Sequence, residues 1–312
     1  MSSVAVIDIG SNSIKILIVE RNINGNLDSL LSETIDARIS EGISHTKPFL
    51  REEAMRRGLS AIRELIALSI PYDPTHLQLV ATSAVRDASN SEAFQQATFE
   101  ATGHRIKILS GTEEANLIGK GITCDPALSD LHDFQLFDLG GGSLECLSFA
   151  DRQINHAESL QLGCVRLTER FITDRTKPLK ANELQSIYDF CLETFQERNR
   201  PNSPAITNAI GTGGTLSTVR AITAERNEQP FEDGSPILTI DEIRALRDEL
   251  ASLSLDARQH IPGLPPARAD VFPTALTTLL AIAAHDSFSA YHHSIYNLRY
   301  GVAAEMLENV TG

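Results

Sequence analysis

The sequence predicts an α/β protein built as two related lobes, and three observations carry that expectation. Apolar strand-like runs alternate with amphipathic helical patterns along the chain. The 312 residues exceed what one hydrophobic core usually serves, about 250 to 300, so two domains are expected. An internal repeat at an offset of 130 (138 minus 8) aligns Asp8-Ile-Gly-Ser-Asn-Ser-Ile-Lys-Ile-Leu17 with Asp138-Leu-Gly-Gly-Gly-Ser-Leu-Glu-Cys-Leu147. A repeat that occurs twice, each copy heading its own α/β run, signals a duplicated lobe and not a solenoid.

The elements follow in order. The run from Val4 ends in a turn at Gly10, and Ile14 to Val19 resumes as a second run, giving strand, tight turn, strand. From Phe49 to Leu68, Met55, Leu59, Ile62 and Ile66 recur at helical spacing among arginines and glutamates, an amphipathic helix with those four as its apolar stripe. Leu77 to Thr82 and Ile106 to Leu109 read as strands, separated by a helix from Ser91 to Thr102 that Gly103 stops. Ala205 to Ile210 reads as a short strand, Gly211 to Thr215 as a turn, and Leu216 onward as a helix. Further helices are expected at Ala181 to Glu197, at Ile240 to Leu253 with Thr239 and Glu242 as a capping box, and at Thr274 to Ala284.

Composition excludes several classes. The longest apolar stretch, Ala275 to Ala284, is far shorter than the ~20 residues of a membrane span, and no basic region precedes the first apolar run. A cytoplasmic protein without a membrane partner is therefore expected. Cys124, Cys146, Cys164 and Cys191 lie far apart without a C-x-x-C pair and read as buried free thiols. His292 and His293 are adjacent, not four apart, so they do not share a helix face as metal ligands. A net charge of −14 argues against nucleic acid as a partner. Any phosphate site must then draw on local positive potential from backbone amides, a few arginines and a divalent cation.

The repeated turns are the first candidates for such a site. Gly10, Ser11, Asn12 and Ser13 in one copy, and Gly140, Gly141, Gly142 and Ser143 in the other, let the backbone approach a ligand and aim consecutive N–H groups at phosphate oxygens. Asp8 and Asp138 end their strands at the mouths of these turns, where a carboxylate suits a hard cation such as Mg²⁺. An ordinary glycine hairpin is the competing explanation, and the duplication favours the ligand-binding one. Gly211, Gly213, Gly214 and Thr215 form a third candidate phosphate loop. In Ser110-Gly-Thr-Glu-Glu-Ala115, Ser110 and Glu113 fit a capping box, which leaves Glu114 without a local partner. Glu114 then reads either as a general base for water or as a solvated first-turn acid, and spacing alone leaves both open. Arg86, just past a strand end, could bind a phosphoryl group bidentately or simply pair with Asp87; Arg166 and Arg299 are weaker candidates of the same kind.

Taken together, these motifs resemble the exopolyphosphatase and guanosine pentaphosphate phosphatase family, in its short two-domain form. The matching text comprises Asp8 to Ser13, Thr82-Ser-Ala-Val-Arg-Asp87, Ser110 to Ala115, Asp138 to Glu145, Ser159 to Phe171, Gly211 to Thr215 and Arg268-Ala-Asp270. Two departures stand out: Asn297-Leu-Arg-Tyr-Gly301 replaces the usual Gly-Leu-Arg-Glu-Gly, and Val-Phe-Pro-Thr follows Asp270.

The resemblance implies two actin-like, ribonuclease H-like lobes with a cleft between them, residues 1–120 plus 298–312 and residues 121–297. It implies Glu114 as catalytic base, Asp138 and Glu145 (with Asp8) positioning Mg²⁺ or Mn²⁺, and Arg86 with the three loops holding the phosphates. It further implies a homodimer acting on inorganic polyphosphate or, alternatively, on a phosphorylated guanosine nucleotide. A phosphotransferase and a phosphate-chain sensor without turnover are the readings from other classes, since paired turns of this kind also occur in kinases.

Overall fold

In the computed structural model the described residues are 2–40, 47–198 and 207–311. The chain divides into two compact units, Met1–Leu131 with Ala157–Ser159 and Tyr296–Gly312, and His132–His156 with Leu160–Ile295. No described helix is long and apolar enough to cross a membrane.

The first unit is built on β1 (Ser3–Ile9), β2 (Ile14–Arg21), β3 (Leu27–Ile35), β4 (His76–Ala81) and β5 (Ile106–Ile108), in sheet order β3-β2-β1-β4-β5. The first three strands form an antiparallel meander, whereas β4 runs parallel to β1 and β5 parallel to β4. Parallel neighbours need a crossover, and α1 (Glu52–Ser69), α2 (Ser83–Asp87) and α3 (Ser91–Thr102) supply it. Gly103, at φ 76°, ends α3 in the left-handed conformation that glycine adopts without strain. After β5 comes α4 (Gly111–Thr123).

The second unit repeats the plan. The strands of its sheet, β6 (Phe134–Leu139), β7 (Leu144–Ala150), β8 (Gln153–Leu160, whose Ala157–Ser159 group with the first unit), β9 (Ala209–Thr212), β10 (Ile237–Thr239) and β11 (Ala290–His293), lie in the order β10-β11-β9-β6-β7-β8. Without the edge strand β10, this repeats the order of the first sheet, with β7 antiparallel to β6, β9 parallel to β6 and β11 parallel to β9. Both units thus have the ribonuclease H-like strand order that the family resemblance implies. Helices α5 (Cys164–Phe171), α6 (Ala181–Gln196), α7 (Gly214–Arg226), α8 (Ile240–Ser252), α9 (Leu255–Gln259) and α10 (Phe272–Asp286) complete this unit. The expected Thr239 and Glu242 capping box begins α8. Helix α10 is buried from Phe272 to Ala283, which explains the most apolar stretch as core.

The last helix, α11 (Leu298–Thr311), belongs with the first unit and crosses α4 closely. A Cβ at Gly301 would overlap the Leu117 carbonyl oxygen, and one at Gly121 would overlap that of Asn297. Two glycines therefore set this crossing, and Gly301 is the last residue of the divergent Asn297 to Gly301 text. Gly301→Ala is expected to cost about 1–3 kcal/mol through overpacking, read as a lower urea midpoint. An unchanged midpoint would show that α11 can shift without cost.

Three expectations change in the structure. Of the four apolar residues assigned to the α1 stripe, Ile62 is buried, while Ala54, Gly58, Ala61 and Leu65 supply the rest of the inner face. Small residues win there because the helix lies tight on the core: a Cβ at Gly58 would sit 3.0 Å from Ile39 Cγ2 and 3.2 Å from Phe94 Cζ. The turn expected over Gly211 to Thr215 contracts, because Gly211 and Thr212 pair as strand in β9 and Gly214 already begins α7. The start of the strand expected from Ala205 lies outside the described residues. Finally, Cys146, Cys164 and Cys191 are buried, but Cys124 is half-buried.

Candidate functional site

In the first unit, parallel pairing sets Ile9 beside Ala81 and Ala81 beside Ile108. The strands β1, β4 and β5 therefore finish at one sheet edge, the place where ligand-contacting groups of open α/β sheets gather. The three segments leaving that edge are the Gly10 turn, the Thr82 to Asp87 segment and the Ser110 to Ala115 segment. They are tied together: Thr82 N donates to Ile9 O at 3.4 Å, Leu109 N to Ala81 O at 2.9 Å, and Ser11 Oγ lies 3.2 Å from Ser83 Oγ.

Helix α4 starts with the expected capping box. Glu113 N donates to Ser110 Oγ at 3.2 Å, and Glu113 Oε2 accepts from Ser110 N at 2.9 Å. The Ser110 amide and hydroxyl hold the Glu113 carboxyl below its ordinary range. Glu114 is placed differently. It is 6% exposed, and its Oε2 accepts from Arg86 Nη1 at 2.8 Å. The residue that spacing left without a local partner has one 28 residues away, so it is not a solvated first-turn acid. Arg86 Nη1 also donates to Leu109 O at 3.0 Å, and Arg86 Nε lies 3.6 Å from Asp87 Oδ1. The Arg86 and Asp87 pair therefore exists, beside a shorter and more buried contact to Glu114.

The first turn is closed by Gly10 N donating to Ser13 O at 3.2 Å. Arg38 N donates to Asn12 O at 2.7 Å and Ser40 N to Ser11 O at 3.0 Å. In a trans peptide the carbonyl and the following N–H point in opposite directions. Those bonds consequently turn the Asn12 and Ser13 N–H groups away from the 38–40 segment. Among the described residues neither polar atom of the buried Asn12 amide has a hydrogen-bond partner, an arrangement that a bound anion at Nδ2 and a water at Oδ1 would satisfy. Asp8 lies opposite Lys15 in the hairpin register. Burial pushes the Asp8 carboxyl above its ordinary range, against the opposing pull of Lys15 and Arg299. Arg299 itself donates to Ile16 O at 2.8 Å.

In the second unit, Asp138 pairs with Thr212 and Gly211 with His293, so β6, β9 and β11 likewise end at one edge. The second turn copies the first, with Gly140 N donating to Ser143 O at 3.0 Å. Its carbonyls are engaged from behind. Gly140 O accepts from Cys164 N at 3.0 Å, Gly141 O from Val165 N at 2.9 Å, and Gly142 O from Arg166 Nε at 3.0 Å. By the same planarity, the N–H groups of Gly141, Gly142 and Ser143 all point away from α5. Three consecutive amides aimed one way form a concavity for an anion. Arg166, a weaker phosphate candidate from the sequence, braces this turn.

The two turns differ where it matters chemically. Position 15 is Lys and its repeat equivalent, 145 (15 plus 130), is Glu. Asp138 and Glu145 face each other across the β6–β7 pair, and directly opposed residues lie on one sheet face with Cβ atoms about 4.5–5.5 Å apart. Glu145 is 2% exposed. Two carboxylates side by side with one of them buried form the donor set of a hard cation, whereas Asp8 faces an ammonium, that of Lys15, and not a second carboxylate. Among the described residues no three His, Cys, Asp or Glu converge on one point. Such a cation would therefore keep water and phosphate ligands, as Mg²⁺ does.

Gly213, at φ 82°, is the whole of the third loop, and a Cβ there would overlap Asp138 Oδ1. That positive φ, which glycine adopts without strain, is what lets the loop close onto that carboxylate. Behind it α7 begins without a side-chain cap, so its first amides face out at the positive end of the helix dipole. Gly211 is packed away from that surface, against Leu216 and Tyr291, and Thr215 Oγ1 donates to Leu139 O at 3.1 Å. Arg268, which the sequence marks only through the Arg268-Ala-Asp270 motif, donates to Gly214 O at 2.5 Å and to Thr218 Oγ1 at 3.1 Å. Lys15 was also missed, although the repeat alignment held the signal.

The Ppx/GppA phosphatase family model matches residues 17–310. A curated Vibrio vulnificus (strain YJ016) relative, described as a guanosine-5'-triphosphate,3'-diphosphate pyrophosphatase, is 29% identical over 310 residues. The alignment covers 98% of this chain and 59% of that relative, so the chain spans about three fifths of the relative's length. Among solved structures, an exopolyphosphatase from Cytophaga hutchinsonii superposes with a TM-score of 0.86 at 25% identity, covering 99% of this chain and 98% of the other. An exopolyphosphatase-like protein superposes at 0.90 and 25% identity, covering 100% and 99%. A family member from Aquifex aeolicus, at 0.79 and 22%, shows the same fold.

Proposed function

The chain belongs to the Ppx/GppA phosphatase family, and from that premise we propose that it hydrolyses the terminal phosphoanhydride of inorganic polyphosphate with Mg²⁺ or Mn²⁺, releasing orthophosphate. One observation supports this above the rest: the second turn presents three amides in one direction beside the facing carboxylates of Asp138 and Glu145. That is a donor set for a phosphate group and the cation that accompanies it.

Each group then has a task. The amides of the turns and the N-terminal amides of α7 bind phosphate oxygens without needing a positive net charge. The Asn12 amide completes the first turn's contacts. Arg86 holds Glu114 Oε2, which fixes the direction of that carboxylate. Glu114 accepts the proton of the attacking water, and Arg86 offsets charge as the phosphoryl group moves. Asp138 and Glu145 would hold the cation, which when bound would supply positive charge against the phosphate oxygens and the leaving group. Little covalent chemistry falls to the protein, and positioning does most of the catalysis.

The second reading, hydrolysis of guanosine pentaphosphate, is favoured by the description of the Vibrio relative. Phosphate release from polyphosphates of graded length and from guanosine pentaphosphate, measured side by side with Mg²⁺ and with chelator, separates the two. Release from polyphosphate that stops with chelator is the expected result. Release that survives chelation would contradict the cation's role, and no release from any of them would leave phosphate-chain sensing.

A further inference from the structure

We propose that His293 is a positioning residue, linking Arg220 and Ser217 into a one-directional hydrogen-bond chain that fixes the Gly213 carbonyl, and with it the start of α7 beside Asp138. The inference rests on the phosphate-binding role given above to that loop.

The direction of the chain follows from donor chemistry. Arg220 Nη1 lies 3.2 Å from His293 Nδ1, and a guanidinium can only donate, so Nδ1 is the unprotonated nitrogen. His293 is 3% exposed; burial, then the Arg220 charge, push its pKa down to about 3, so the ring is neutral. Its single proton is on Nε2, which donates to Ser217 Oγ at 3.0 Å. The hydroxyl then has its own proton for Gly213 O, 2.9 Å away. Every donor in the series meets an acceptor, and reversing any link leaves two donors or two acceptors facing each other.

The first two members of the chain, Arg220 and His293, are each anchored in turn. Arg220 Nη2 donates to Phe231 O at 3.0 Å and Gly234 O at 2.9 Å, and the guanidinium carbon lies 4.3 Å from the centroid of the Phe231 ring. His293 is set in register beside Gly211 by β11, and its N–H donates to Pro236 O at 2.7 Å. One strand of the sheet thus reaches past the start of the loop to grip its far end. The gripped residue matters because Gly213 has a left-handed backbone and lies against Asp138 Oδ1. With its carbonyl held, the next N–H, that of Gly214, points out of the helix end. A shift at Gly213 would disturb an anion-facing amide and a metal-facing acid together.

The test uses two independent readouts. In ¹⁵N-histidine spectra of the full chain at neutral pH, His293 is expected to be neutral with its proton on Nε2. A proton on Nδ1, or an imidazolium, would overturn the chain's direction. Ser217→Ala removes the last link with a minimal change of volume. It is expected to raise KM for polyphosphate and Kd for tripolyphosphate about three- to tenfold, the worth of one hydrogen bond, with kcat near wild type. Ser217→Thr, which keeps the hydroxyl, is expected to restore both. If Ser217→Ala lowers only the melting temperature and leaves KM and Kd unchanged, the chain is purely structural and the inference is wrong. The Kd measurement does not need turnover. Wild-type protein that binds tripolyphosphate but never releases phosphate would refute the hydrolase reading alone, while protein that does not bind it would refute this inference.

Discussion

Glu114→Gln is expected to slow phosphate release by about 10²–10⁴-fold, the usual contribution of a general base, in a protein that stays folded. The substitution conserves volume at a residue that is 6% exposed. Gln can still accept from Arg86 Nη1, so the geometry survives while the proton acceptor is lost. Removing one partner of a buried ion pair can cost several kcal/mol because the other charge is stranded. Here Arg86 retains the Leu109 carbonyl at 3.0 Å and Asp87 at 3.6 Å, so the loss should be nearer that of one hydrogen bond, about 1 kcal/mol. Circular dichroism and a urea melt check the fold, and phosphate release checks the chemistry. Near-normal turnover in the folded variant would remove Glu114 from the mechanism.

Glu145→Lys is expected to abolish the proposed divalent-cation site by giving the second turn the charge pattern of the first. The repeat makes this a controlled change, since Lys15 already occupies the equivalent position opposite Asp8. An ammonium beside Asp138 replaces the cation electrostatically, and affinity for the metal should fall at least about 100-fold, more than is lost when an outer-shell partner of a metal site is removed. Because Glu145 is 2% exposed, a lysine there risks the fold, so Glu145→Gln serves as a second variant of similar volume. Titration of Mn²⁺ by electron paramagnetic resonance, with inorganic phosphate present, reads binding without turnover. Wild-type affinity for Mn²⁺ in both variants would place the cation elsewhere.

Much of this protein is legible along the chain because its information is local. The Asp8 and Asp138 turns are set by the contrast of apolar strands with glycine and small polar residues. The α4 cap is set by two residues three apart, and the end of α3 by one glycine. Other features are not local. The buried face of α1 turned on how near Ile39 and Phe94 lie to Gly58, which the apolar spacing does not encode. Gly211 reads as loop in sequence, but β6 and β11 on either side draw it into the sheet.

The sequence by itself determined a duplicated α/β plan, the position of each glycine turn and the identity of the acids that end or follow the strands. These depend on periodicity, turn chemistry and a repeat, all of which act over a few residues or are copied whole. Only the tertiary structure decided how the acids are partnered. Glu114 is joined to Arg86 across 28 residues because β4 and β5 end side by side, and Asp8 is buried with the charge of Arg299, from the last helix, acting on it beside that of Lys15. His293 reaches Ser217 from a strand 76 residues later in the chain. The charge a buried carboxylate or imidazole carries depends on what is folded against it, and that is a property of contacts distant in sequence.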